Sequence, residues 1–139
     1  MIESNIPEVM KAVLRQTEKI DIGARGARDE MMSKLIELAK EEIKGKRQPG
    51  ERATPGEPPM NRTGNLRRSI KGEKMREGFA SYSAVVGPTI IYGRSVEMAG
   101  KYAPPTWSGA TKSKGFPYMK PAFNKFQRVA MAIVRKHLA

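Results

Sequence analysis

Between residues 5 and 45, side chains that avoid water recur three and four positions apart: Ile6, Val9, Met10, Val13, Leu14, Thr17, Ile20, Ala24, Ala27, Met31, Leu35, Leu38, Ala39 and Ile43. An α-helix brings that spacing onto one face, so the first third of the chain is predicted to be a long amphipathic helix, residues 1–45. Asn5 or Ser4 can cap its start, Pro7 suits the first turn, and Glu8 lies near the positive end of the helix dipole. Gly23 and Gly26 weaken the middle by about 1 kcal/mol each relative to alanine. They allow either one helix with a soft point or two helices broken there. The stripe keeps its phase across both glycines, which favours one. Gly45 is a plausible stop.

The next stretch, GKRQPGERATPGEPPMNRTG (45–64), holds four prolines and four glycines and no apolar pattern. It reads as a mobile loop over residues 46–62. A folded unit is expected over residues 63–139, and the whole chain counts as one domain. It opens with TGNLRRSI (63–70), where Thr63 caps a short helical turn that has Gly64, Asn65 and Leu66 in its first turn. Leu66 and Ile70 sit four apart and face inward, leaving Arg67 and Arg68 on the outer side. Strands follow at residues 69–75 and 78–86, turning at Arg76, Glu77 and Gly78. In the second strand Ala80, Tyr82, Ala84 and Val86 alternate with Phe79, Ser81, Ser83 and Val85. Pro88 ends it. A helical turn at residues 93–98 has Tyr92, Val96 and Ala99 inward. A second Gly/Pro-rich loop spans residues 100–117, followed by an extended link at 117–120. Pro121 then opens a last helix reaching about His137, with Phe123, Phe126, Ala130, Ile133 and Val134 on its stripe. The expected class is α+β: a long N-terminal helix, a small antiparallel β-sheet and a C-terminal helix packed on the sheet.

The chemistry such a chain can perform is narrow. Cysteine is absent from its 139 residues, which removes thiol catalysis, cysteine-ligated metal and disulfides. His137 is the only histidine, so neither a catalytic triad nor a two-histidine metal site can be built within one chain; it reads as a helix-end residue beside the negative end of the dipole. Asp29, Glu30, Glu41 and Glu42 read as a solvated helix face. No phosphate-binding glycine loop is present, and GARGAR (23–28) lies mid-helix. No enzymatic activity and no cofactor or metal is expected. The first 25 residues lack a signal-like apolar run, and no segment approaches the roughly 20 apolar residues of a membrane span. A soluble protein made in the cytoplasm is expected, with no membrane partner.

The net charge of +12 does point to a polyanion. Residues 1–45 hold 8 Lys/Arg against 9 Asp/Glu, whereas residues 78–139 hold 9 against 1, that one being Glu97. Arg62, Arg67, Arg68, Lys71, Lys74 and Arg76 form one basic group. Lys101, Lys112, Lys114 and Lys120 form another, interleaved with Tyr102, Trp107, Phe116 and Tyr118. Basic residues among aromatics can follow a nucleic-acid backbone. A small, basic, non-specific nucleic-acid-binding protein is therefore one reading. No sequence-reading motif accompanies the charge.

Three segments in order, TGNLRRSI (63–70), IIYGRSVEMAG (90–100) and GFPYMKPAF (115–123), resemble the small head–tail joining and tail-completion proteins of tailed phages. That group includes neck proteins and proteins like minor tail protein Z. Pro59, Thr63, Gly64, Leu66, Ser69 and Ile70 match its first element. Tyr92, Val96 and Glu97 match the second, with Gly100 one place late, and Pro117, Met119, Pro121 and Ala122 match the third. The resemblance implies a virion structural protein, assembled in the host cytoplasm and resident in the neck. It implies homo-oligomers, often six-fold rings, touching neighbouring neck and tail proteins, with genomic DNA passing nearby. In that setting Arg62, Arg67, Arg68, Lys71, Lys112 and Lys114 are candidate interface or DNA-proximal residues. Glu97 is a candidate ion-pair partner for Arg67 or Arg68.

Overall fold

A computed structural model describes residues 6–43, 55–56, 59, 64–90, 92–99, 109 and 114–139. The loop expected at 46–62 lies almost wholly outside them, as do Arg62, Thr63, Lys112 and most of 100–113. The architecture is α+β. Helix α1 (Ile6–Glu42) is followed by the short α2 (Asn65–Ser69), the antiparallel pair β1 (Ile70–Gly78) and β2 (Ser81–Pro88), then α3 (Gly93–Met98) and α4 (Met119–Leu138).

Helix α1 runs unbroken through both glycines for 37 residues, about 55 Å at the usual rise. Helix α4 lies antiparallel along the C-terminal half of α1: Lys125 pairs with Glu42, while Lys136 and His137 at the other end both reach Glu30. The glycines explain how close the two backbones come. A methyl group on Gly23 would stand 2.5 Å from the His137 carbonyl oxygen, and one on Gly26 would stand 2.8 Å from His137 Nδ1. The two positions form a notch that seats the last turn of α4.

The sheet packs on the same helix. Gly72 of β1 faces Met32, whose Cγ would lie 2.5 Å from an added Cβ, so this strand glycine sets the helix-to-sheet approach. In β2 the expected alternation is present, with Tyr82, Ala84 and Val86 half-buried and Ser81, Ser83 and Val85 exposed. The turn falls elsewhere than expected. β1 continues through Arg76 and Glu77 to Gly78, with an irregularity between Lys74 and Arg76, and the chain reverses at Phe79 and Ala80, which the sequence pattern places within the second strand. Ala80 takes φ 50°, and its N–H is donated to Asp21 Oδ1 on α1 at 2.8 Å. A long-range acceptor thus holds the left-handed turn that local sequence did not announce.

The core gathers where all these elements meet, at the C-terminal end of α1. Leu38, Ala39, Ile43, Ile70, Tyr118 and Ala122 are buried there, flanked by Leu66, Val86, Val96 and Phe126. The first turn of α4 therefore reaches the sheet, and the rest of that helix lies on α1. Three sequence expectations are corrected. Tyr92 is exposed at the N-terminal cap of α3, while Val96 and Ala99 turn inward as expected. Phe123 is half exposed, its place taken by the small Ala122. Residues 119–120 belong to α4 rather than to an extended link.

Candidate functional site

The three motif segments converge on one junction. Helix α3 brings Glu97 against the start of α4, where four backbone N–H groups have no partner within the helix. Glu97 Oε2 accepts from Tyr118 N–H at 2.6 Å and from Met119 N–H at 2.9 Å, and Oε1 accepts from Lys120 N–H at 3.0 Å. The fourth position is Pro121, which has no N–H to satisfy. Ala122 N–H then makes the first intrahelical bond, to the Tyr118 carbonyl at 3.3 Å. The carboxylate also sits at the positive end of the helix dipole. This corrects the expectation for Glu97: its oxygens are engaged by the α4 N-terminus rather than by Arg67 or Arg68.

Tyr118 is fully buried, and its hydroxyl donates to the Gly93 carbonyl at 3.0 Å. Burial, reinforced by the Glu97 and Tyr92 charges, pushes its phenol above the ordinary value of 10.0. Gly93 cannot carry a side chain, since a Cβ would meet the Pro88 ring at 2.6 Å and the Tyr118 hydroxyl at 3.2 Å. Gly115, at φ 61°, allows Phe116 N–H to bond the Val96 carbonyl at 2.6 Å just ahead of Pro117, which is half-buried.

The first motif closes the junction from the other side. Gly64 occupies the cap position of α2 at φ 80°, instead of standing within its first turn. Leu66 and Ile70 face the core as expected, and Ser69 Oγ donates to the Leu66 carbonyl at 2.6 Å. The Ser69 carbonyl accepts both the N–H and the hydroxyl of Thr89, tying α2 to the end of β2. Beside the junction an open cleft of about 450 Å³ is lined by Pro88, Ile90, Arg94, Met98 and Met119. The two polar groups of the junction that border it, Glu97 and the Tyr118 hydroxyl, are the ones already holding backbone.

The basic candidates are dispersed. Arg67 and Arg68 are exposed and share a shallow concavity of about 330 Å³ with Gly64 and with Lys40 of α1, a cation the sequence did not single out. Arg68 Nη2 also donates to Asn65 Oδ1 at 2.7 Å. Lys71 is exposed on β1, and Lys114 is exposed with its stem 3.6 Å from the Cβ position of Gly56. Among the described residues no cluster of side chains has the makings of a metal site, and no helix is long and apolar enough to cross a membrane.

A second polar cluster joins α1 to the hairpin. Arg28, only 4% exposed, donates from Nε to Asp29 at 2.9 Å and from Nη2 to Glu77 at 3.0 Å, while its guanidinium lies 5.1 Å over the Tyr82 ring. The Ala80 N–H and then the Tyr82 hydroxyl hold the Asp21 carboxyl below its usual range. Asp29, Glu30 and Glu42 are therefore paired rather than simply solvated. Asp29 pairs with the adjacent Arg28, whereas the partners of Glu42 and Glu30 lie 83 to 107 residues away, beyond the reach of any local spacing rule. Comparison with family models, with curated proteins and with solved structures returns no match for this chain.

Proposed function

We propose that this chain is a structural protein of a tailed-phage virion, a neck or tail-completion component that joins head to tail through ring-forming contacts between copies. The observation that carries the reading is the junction itself. The three ordered segments that resemble the joining proteins meet in space, and their Leu66, Ser69, Ile70, Val96, Glu97 and Pro121 hold the α2, α3 and α4 ends together. Residues engaged in this way make a scaffold, and the surfaces left over are available for assembly. In this reading the copies gather in the host cytoplasm, bind neighbouring neck and tail proteins, and end in the virion with DNA passing their basic exterior.

Electron microscopy of particles produced without the protein tests the reading. Heads that fail to join tails, or that lose their DNA, are the expected result. Normal tailed, DNA-filled virions would sink it. The basic concavity formed by Lys40, Arg67 and Arg68 favours a second reading, non-specific nucleic-acid binding. Tight binding to duplex DNA at physiological salt, with a steep loss as salt rises, would select that alternative.

A further inference from the structure

The apolar stripe of α1 has two fates. Past Gly23 it is covered by α4 and the hairpin, and Ala27, Leu38 and Ala39 are buried. Before Gly23 the same stripe, in the same phase, stands in solvent: Val9, Met10, Val13 and Leu14 are 55–60% exposed and Ile20 is 47% exposed. Helix α4 ends at Leu138 against Gly23 and the hairpin reaches α1 no further than Asp21, so among the described residues the stripe from Val9 to Ile20 stays uncovered. We propose that residues 6–22 of α1 are the surface on which a second copy of this chain docks.

Area and charge both favour that occupant. The five side chains leave roughly 500 Å² of mostly apolar surface, at the upper end of what a lone monomer shows. A stable protein interface takes roughly 800 Å² from each partner, a little over half of it apolar, so this stripe with its flanks supplies about one such share. Two molecules of charge +12 repel each other over most of their surfaces. Residues 6–22 carry three acids, Glu8, Glu18 and Asp21, against three bases, Lys11, Arg15 and Lys19. They form a neutral, apolar stretch on a cationic molecule, where two copies can meet with least repulsion. That neutrality also disfavours a nucleic acid as the occupant.

The proposal takes its setting from the assembly reading and names the surface that reading requires. The test uses the full chain and two double variants, Val13→Glu with Leu14→Glu and Val13→Lys with Leu14→Lys. Both alter exposed helix positions, and a Met131→Glu variant of the exposed Met131 on α4 serves as control. Light scattering and sedimentation velocity follow self-association, and circular dichroism follows folding. The expected result is a wild type that self-associates, both double variants at least tenfold weaker with unchanged melting, and an unaffected control. A wild type that stays monomeric, a double variant that associates as before, or a control that disrupts equally would overturn the proposal. Flotation of a monomeric wild type with anionic phospholipid vesicles would assign the stripe to a lipid surface instead, and overturn it too. The two readings fail separately. A monomer found in virion necks removes the self-docking surface alone, and a chain that self-associates through α1 but is dispensable for particles removes the neck assignment alone.

Discussion

Glu97 completes a helix terminus that would otherwise leave three N–H groups without partners, and it does so with a charged acceptor. Removing it exposes those donors and withdraws a favourable charge from the dipole. Glu97→Ala is expected to cost about 2–3 kcal/mol, and Glu97→Gln, which keeps one acceptor oxygen, roughly half as much. Urea denaturation midpoints of the two variants measure this, and equal losses would mean that the charge matters rather than the geometry. Tyr118→Phe removes the buried hydrogen bond from the phenol to the Gly93 carbonyl and is expected to cost about 1 kcal/mol. Composition could mark Glu97 as unusual, being the lone acid of the last 62 residues. It could not name the partner, because backbone N–H groups carry no signature in the sequence. Sequence alone therefore offers only opposite charges, such as Arg67 and Arg68, as partners.

At the scale of elements, α1 and α4 depend on each other through the glycine notch and the ion pairs near its ends. Alanine is ordinarily a better helix former than glycine by about 1 kcal/mol. At Gly23 the sign reverses, since the new methyl meets a backbone carbonyl at 2.5 Å that cannot step aside without moving α4. Gly23→Ala is expected to destabilise the whole protein by about 1–3 kcal/mol while raising the helicity of an isolated α1 peptide. The opposite outcome in the full chain would show that the notch is not needed. The nearby Glu30 carboxyl is held below its ordinary 4.5, first by the Lys136 ammonium and then by His137. A depressed carboxylate contributes stability that is whole above the ordinary pKa and lost as pH falls through the folded-state value. The thermal midpoint should therefore decline below about pH 4.5, and Glu30→Gln should flatten part of that decline. The stripe that made α1 legible is a local, periodic property, as is the alternation in β2. The notch, the Asp21 hold on Ala80 and the burial of Arg28 are tertiary, which is why local pattern alone makes Gly23 and Gly26 weak points and puts the hairpin turn at Arg76, Glu77 and Gly78.

For the whole molecule, a strongly cationic body is joined to a neutral apolar helix end, and the two should answer salt in opposite ways. Charge repulsion between copies reaches about 10 Å at 0.1 M salt and only about 3 Å at 1 M. Apolar contact along residues 6–22 loses nothing to that screening. Self-association of the full chain should therefore strengthen severalfold between 50 and 500 mM salt. Binding to duplex DNA, which depends on releasing counterions from phosphate, should weaken over the same range. Sedimentation and a mobility-shift titration on one preparation measure both slopes. Association that weakens with salt would mean that ionic contacts hold the copies together and that the exposed stripe of α1 serves another partner. Association that strengthens, and that Val13→Glu with Leu14→Glu abolishes, ties the oligomer to the face of α1 that the folded core leaves uncovered.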